Sequence, residues 1–376
     1  MTKKTKLNLG VIFGGRSGEH AVSLMSAAFV LSVLDPAKYE ITQIGITRQG
    51  EWLVGDDVLA ALKAEDASSL EPATILADPT RPGLKRIAAQ ADGEILQQIN
   101  ELDVLFPVVH GSFGEDGTLQ GLLEMAEIAY VGAGVLGSSA GMDKAVFFDV
   151  MRANAIPVVD TILVLRSELE GDMQSALDKV ETLGEYPLFV KPANLGSSVG
   201  ISKASSRSDL MEGLIDAAQY DRRVVVQKGL NVREIEVSVL GNDFPEASVC
   251  GEIAPEAEFY SYEAKYHDER SQSIIPADLP EETSDRIRDY AVKAYKAVDI
   301  AGMARVDFFV ERETGEVYLN ELNTIPGFTE ISMYPMLWQA SGLSNEALLD
   351  RLIELALERR AELDATVREF RRAAKL

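Results

Sequence analysis

The chain has 376 residues, 46% of them hydrophobic, enough for two or three domains with cores of their own, and no apolar run is long enough to cross a bilayer. Sixty Asp and Glu stand against 36 Lys and Arg, so a net charge of -24 repels nucleic acid and anionic membranes and excludes both as partners. The single cysteine, Cys250, excludes an intramolecular disulfide and a thiolate cluster.

The opening MTKKTKLNLGVIFGG passes from a short basic stretch into a strand-like run without a signal-type apolar core, which predicts a cytoplasmic location. Residues 7–13 read as a buried strand, 14–19 as a glycine turn, and Val22, Met25, Phe29 and Val33 as the apolar stripe of a helix. Strands near 41–46 and 104–109 and a helix over about 118–126 complete a doubly wound α/β domain. The polar stretch 55–81 is expected to be peripheral. A new unit begins near 134 with a helical segment through Lys144 and Phe148. It continues with strands at 158–164 and 187–191, the loop ANLGSSVG and a helix over 210–218. From 224 strands dominate, at 224–227, 235–240 and 247–253 and in the hairpin GMARVDFFVERETGEVYLNELNT. A helix over 282–298 interrupts them and another over 345–363 follows. The expected division is 1–133, 134–222 and 223–376.

The turn Gly14, Gly15, Arg16, Ser17, Gly18, Glu19 does not fit G-x-G-x-x-G, and the second strand ends in Gly45, Ile46 and Thr47 with no acid for a ribose. Glu19 at a helix start suits an ammonium group, although an acid is favourable at any helix N-terminus. His110 opens HGSFGEDGTLQG at the carboxyl end of a strand, the usual ligand edge of an α/β sheet; a lone histidine is as readily structural. Lys191 ends a strand and precedes Gly196, Ser197, Ser198 and Gly200, a turn whose N–H groups can close over phosphates. The lysine precedes the glycines, so this is not the Walker order, and a plain hairpin is the alternative.

The run EIAPEAEFYSYEAKYHDERSQSIIPADLP is long and without period, yet Tyr260, Tyr262 and Tyr266 argue for a lid over a disordered tract. Its closure would deliver Lys265 to the phosphates. In the hairpin, the turn at Thr314 and Gly315 brings Asp307 opposite Glu321, with Asn323 on the same side and Arg305 on the face of Asp307. Facing carboxylates repel unless a cation lies between them, and Mg²⁺ takes a few hard oxygens plus substrate phosphates. Solvated acids on an open sheet face are the alternative.

Taken in order, FGGRSGEHAVS, FPVVHGSFGEDGTLQG, GMDK, VKPANLGSSVG, REIEV, FYSYEAKY, ARVDFF and NELNTIPGFT resemble the D-alanine:D-alanine ligases of the ATP-grasp superfamily over nearly the whole chain. The resemblance implies an N-terminal α/β domain followed by a two-domain ATP-grasp fold. It implies ATP with two Mg²⁺ ions, for which Mn²⁺ substitutes, D-alanine as substrate and a homodimer. Lys144, Lys191, Ser197, Ser198, Val199 and Lys265 would hold phosphates, Gln227 and Lys228 the adenine, and Glu234 the ribose. Asp307, Glu321 and Asn323 would hold the metal. Glu19, supported by His110, would hold the first ammonium; Arg305 and the Gly327 N–H would stabilise the oxyanion, and Ser332 would bind the second carboxylate. Tyr266, Ser197 and Glu19 would form a hydrogen-bond chain that shuts the lid.

Two positions depart from the family. Ala21 stands where an acid is frequent, and Gln227 with Lys228 stands where the hinge usually begins with glutamate. A D-alanine:D-lactate ligase is the competing enzyme, opposed by Tyr266, where ester-forming ligases tend to carry phenylalanine. A nucleotide sensor without catalysis is opposed by Arg305 beside a full metal set.

Overall fold

A computed structural model of the protein describes residues 6–196, 200–254 and 272–367. Its first sheet holds β1 (Leu7–Gly14), β2 (Tyr39–Ile46), β3 (Trp52–Val54), β4 (Glu71–Ile75), β5 (Leu84–Gln90), β6 (Gly93–Asn100), β7 (Val104–Pro107) and β8 (Ala129–Tyr130), in the order β6-β5-β4-β3-β2-β1-β7-β8. Only the half β2-β1-β7-β8 is parallel; the pairs from β2 outward through β6 are antiparallel. The polar stretch expected to be peripheral therefore extends the sheet. Its sparse apolar residues Ala73 and Ile75 are buried with Val54 and Leu84 against the parallel half, which is enough to hold β4 in register with β3.

The helix after β1, α1 (His20–Val33), keeps most of its expected stripe, with Val22 buried and Phe29 and Val33 half-buried against the core. Its buried residues are His20, Val22, Ser23, Leu24, Ser26, Ala27 and Val30, whereas Met25 is 39% exposed. Small polar side chains govern this contact: Ser23 Oγ accepts from Gly14 N at 2.7 Å and donates to the Val108 carbonyl, tying the helix to the carboxyl ends of the central strands. Two further helices, α2 (Val58–Lys63) and α3 (Thr118–Met125), complete this part.

Next come α4 (Val135–Met142), α5 (Lys144–Ala153), β9 (Thr161–Leu165), α6 (Arg166–Gly171), α7 (Met173–Glu181), β10 (Leu188–Pro192), β11 (Ser202–Ala204), α8 (Arg207–Tyr220) and β12 (Arg223–Lys228). The second sheet is antiparallel in the order β11-β10-β12-β9. Leu188, Val190, Val224 and Val226 turn one face into a core with Leu177, Val180, Leu210 and Leu214. The expected division at 222/223 cuts ahead of β12, yet β12 pairs with β10 and β9, so the change of sheet comes after Lys228.

The third sheet holds β13 (Val232–Gly241), β14 (Glu246–Ala254), β15 (Gln272–Ile274), β16 (Gly302–Glu311) and β17 (Val317–Asn323), ordered β15-β14-β13-β16-β17 and antiparallel throughout. One face, with Ile235, Val237, Ala304, Val306 and Phe308, packs against α9 (Glu281–Ala297) and against Phe147 and Phe148 of α5. The opposite face is left for polar groups. Finally, α10 (Met333–Ala340), which the sequence reading did not foresee, and α11 (Asn345–Ala365) place Tyr334, Trp338, Leu348, Leu352 and Ile353 in one core with Leu9, Val11, Val104 and Phe106 of the first sheet. Arg359 locks this return, its guanidinium 4.9 Å from the Tyr130 ring and 2.9 Å from Glu124.

Candidate active site

The hairpin pairs Asp307 with Glu321 and Arg305 with Asn323, as the alternation of polar residues suggested. A β-bulge makes that possible. Phe308 pairs with Leu319, so Asn320 is the extra residue, and it reverses the phase of β17. Val317 and Leu319 point into the core before the bulge, and Leu322 does so after it. Were β17 to run through Asn320 without a bulge, Glu321 and Asn323 would follow Val317 and Leu319 inward.

Arg305 grips both oxygens of Asp307 at 2.7 Å and lies 3.0 Å from the carboxylate of Glu236, its neighbour on β13. Burial opposes the charge on Arg305, but Asp307 and Glu236 outweigh it and hold the guanidinium well above its usual range. Asn323 Nδ2 donates to Asp307 Oδ2 at 3.0 Å. Among the described residues no three acidic, imidazole or thiolate groups converge as a metal cage. The donor set is two carboxylates and an amide, which suits a hard cation that keeps phosphate and water oxygens in its remaining positions.

One cavity is lined by Glu19, His110, Glu115, Lys144, Gly196, Arg305, Glu321, Asn323 and Gly327, drawn from loops of the first sheet, the start of α5, the segment after β10, the strands β16 and β17 and the segment after them. Glu19 is buried at the start of α1. Two glycines close on it: a Cβ at Gly111, whose φ is +75°, would stand 2.3 Å from Glu19 Oε2, and one at Gly196 would stand 2.9 Å away. Ser17 Oγ donates to the His110 carbonyl at 2.7 Å and fixes the two loops together.

His110, expected to support Glu19 at the first substrate, has both ring nitrogens engaged within the protein. Its Nδ1 faces the Ile325 carbonyl at 2.9 Å and must carry the proton, so Nε2 accepts from Ser26 Oγ at 2.8 Å. Ser26 in turn accepts from Phe328 N at 3.2 Å. Burial holds the imidazole below its usual range, with the Glu19 charge pulling the other way. The ring is thus a neutral strut that positions residues 325–328, the segment containing Gly327.

Glu115 reinforces the same segment. Its two oxygens accept from Gly111 N at 2.8 Å and Ile325 N at 2.9 Å, bridging the loop after β7 to the loop after β17. Burial beside the Glu19 charge pushes this carboxyl up to about 8. Ser332 caps the start of α10; its Oγ accepts from Thr329 N at 3.0 Å and lies 3.0 Å from where a Gly327 Cβ would stand.

The nucleotide candidates gather where the second sheet meets the third. Lys144 Nζ donates to the Leu195 carbonyl at 2.7 Å, and Lys191 Nζ donates to Gln227 Oε1 at 2.8 Å. Burial pushes Lys191 down to about 8, opposed by the charges of Glu321 and Glu234 and assisted by Lys144. Gln227 is buried, whereas Lys228 is exposed. Ser197, Ser198, Val199, Lys265 and Tyr266 lie outside the described residues.

Sequence reasoning missed Glu115, Glu236 and Ser26. Glu236 was findable, two residues after Glu234 on one strand face. Ser26 and Glu115 carry no periodic signal; their partners lie 302 and 210 residues away in sequence.

Two antiparallel sheets meeting over buried lysines and paired acids, beside a parallel-stranded domain that supplies an acid and a histidine, define an ATP-grasp enzyme. The pattern described as "D-ala D-ala ligase N-terminus" matches residues 8–133 and "D-ala D-ala ligase C-terminus" matches 150–354, and the chain belongs to this family. The D-alanine--D-alanine ligase of Acetivibrio thermocellus is 49% identical over 358 residues, covering 93% of this chain and 95% of that protein. That of Thermoanaerobacter sp. is 50% identical over 355 residues, covering 94% and 97%. Among solved structures, the VanG D-Ala:D-Ser ligase from Enterococcus faecalis superposes with a TM-score of 0.82 at 36% identity, covering 94% of this chain and 100% of that one.

Proposed function

We propose that this enzyme joins two D-alanines to D-alanyl-D-alanine at the expense of ATP, through a D-alanyl phosphate, for peptidoglycan precursor synthesis. The observation that carries it is one cavity in which Glu19, Arg305 and Gly327 meet Glu321 and Asn323 of the hairpin. A carboxylate does not expel oxide, so phosphorylation must supply a leaving group before an amine can attack. The site supports both halves of that chemistry. Glu19 holds the first ammonium, and Arg305 with the Gly327 N–H faces the oxyanion that forms when the second amine adds. Ser332, next to Gly327, takes the second carboxylate.

Lys144, Lys191, the 197–199 loop and Lys265 bind phosphates, Gln227 and Lys228 take the adenine, and Glu234 the ribose. Asp307, Glu321 and Asn323 would hold two Mg²⁺ ions, or Mn²⁺, which when bound supply positive charge to the phosphates. Ser197 and Tyr266 complete the hydrogen-bond chain from Glu19. The domain limits follow the sheets, with the second hinge after Lys228. A homodimer working in the cytoplasm belongs to the same reading and rests on the family; no helix among the described residues is long and apolar enough to span a membrane.

The test is phosphate release with ATP, Mg²⁺ and a panel of D- and L-amino acids and D-lactate. D-Alanine alone should sustain turnover and yield the dipeptide. Failure with D-alanine, or a second-substrate preference for D-serine or D-lactate, overturns the proposal.

A further inference from the structure

Glu236, Asp307 and Glu321 stand in one row across three neighbouring strands, since Asp307 pairs with Glu236 of β13 on one side and with Glu321 of β17 on the other. They project from the face opposite Ile235, Val237, Val306 and Leu322, which fill the core. The next row along the sheet is Ser238, Arg305 and Asn323. Arg305 is claimed by two of the acids. Asp307 takes its Nε and Nη2 at 2.7 Å each, while Glu236 Oε2 lies 3.0 Å from the same Nε.

One carboxylate is enough to neutralise one guanidinium, and Arg305, Asp307 and Glu236 are each 8% exposed. A second buried acid beside a pair that is already neutral adds a desolvation cost, so its presence points to a further demand on one of the three. The metal assignment supplies that demand. Asp307 would share its charge with a cation held between it and Glu321, which weakens its hold on Arg305 and sets two positive groups on one carboxylate. The strand order places Glu236 on the side of Asp307 away from Glu321, so it grips the guanidinium from the far side.

We propose that Glu236 is a positioning residue: it keeps the Arg305 guanidinium in place while Asp307 serves the cation, so that metal and oxyanion donor occupy the site together. The proposal rests on the assignment of Asp307 and Glu321 to the metal and of Arg305 to the oxyanion. Without Glu236, Arg305 leans on Asp307, competes with the cation for that carboxylate and turns away from the reacting atoms.

The test is Mn²⁺ binding, with ADP present, to the full-length protein and to its Glu236→Gln and Glu236→Asp variants, with free Mn²⁺ read by electron paramagnetic resonance. Glu236→Gln removes the charge and keeps the reach; Glu236→Asp keeps the charge and withdraws it from Arg305 by one methylene. Both should raise the Mn²⁺ dissociation constant by about tenfold, the low end for losing a partner behind a metal ligand. A through-space effect of charge alone would spare Glu236→Asp. With Mn²⁺ raised until each protein is saturated, kcat should stay about tenfold or more below the unaltered value, the scale of a misplaced catalytic group, whereas a protein short only of metal would recover. An unaltered Mn²⁺ affinity in Glu236→Asp, or full recovery of kcat in Glu236→Gln at saturating Mn²⁺, overturns the proposal. So does a lowered melting temperature with both readouts unmoved, which marks a residue needed only for the fold. Should Glu236→Asp not fold, kcat of Glu236→Gln at saturation decides alone. If the unaltered protein takes up no Mn²⁺ beyond what ADP alone binds, the metal assignment itself falls.

Discussion

The Arg305 guanidinium closes on both carboxylate oxygens of Asp307, two residues along the same strand, at 2.7 Å each. The cation assigned to the oxyanion and the acid assigned to the metal thus hold each other, with Glu236 as third member at 3.0 Å.

Removing the cation should cost fold and chemistry together. Arg305→Ala leaves Asp307 and Glu236 buried beside one another without compensation, a loss of about 3–5 kcal/mol on the scale of broken buried pairs. kcat should fall by roughly 10² or more, the scale for one preorganised donor. Arg305→Lys keeps the charge without the fork, so thermal stability should recover further than turnover. An Arg305→Ala protein that melts normally and turns over normally would remove Arg305 from both roles.

The two acids of the hairpin should now separate. Glu321→Gln removes an anionic ligand while keeping shape, so Mg²⁺-dependent turnover should collapse with an unchanged melting temperature. Asp307→Asn also loosens the grip on Arg305, so it should lose turnover and stability. Phosphate release across a Mg²⁺ titration, beside thermal melts, distinguishes them; near-normal activity of Glu321→Gln at ordinary Mg²⁺ would sink its assignment.

Lys191 predicts a proton uptake. Its folded value is about 8 against the ordinary 10.5. Below pH 8 the lysine is charged in both folded and unfolded chains; between 8 and 10.5 the folded chain sheds the proton first, so the cost of burying its charge is relieved as pH rises. Phosphates restore the proton, so ADP binding at pH 8 should take up about half a proton, read by calorimetry in buffers of different ionisation heat. Lys191→Met should abolish the uptake. Equal heats in all buffers for the unaltered protein would place Lys191 away from the phosphates.

Glu115 predicts the opposite sign. Its value is raised from 4.5 to about 8, so between those limits the unfolded chain has released a proton that the folded chain keeps, and stability falls as pH rises through that window. An ammonium bound at Glu19 favours the carboxylate, so D-alanine binding near pH 7 should release protons. Glu115→Gln should flatten the pH slope of the melting temperature. It should also raise KM for D-alanine by roughly 10-fold or more, because the amide turns a donor toward Gly111 N or Ile325 N. ADP affinity should be unaffected; a lowered ADP affinity with normal KM for D-alanine would reassign the residue.

Much of this site was legible because strands repeat every two residues. Arg305 with Asp307, and Glu321 with Asn323, declared a shared face, and Lys191 before a glycine loop suggested a phosphate site. The bulge at Asn320 went unread, although the apolar phase moves from Val317 and Leu319 to Leu322, the signature of one extra residue. By contrast, Met25 of the stripe assigned to α1 lies off the buried face, where Ser23 and Ser26 are held inward by hydrogen bonds to distant backbone and side-chain groups that no local pattern records.

The chain by itself determined the strands that carry the candidate site and the identity of its chemical groups, since these depend on residues a few positions apart, whereas β3 to β6 were not read from it. Only the tertiary structure decided which groups meet. It engaged both ring nitrogens of His110, paired the oxygen of Gln227 with Lys191, and set Glu115 between two loops. Each of these follows from desolvation: once buried, every donor and acceptor must find a partner, and the partners available are set by which segments of the chain the fold has brought alongside.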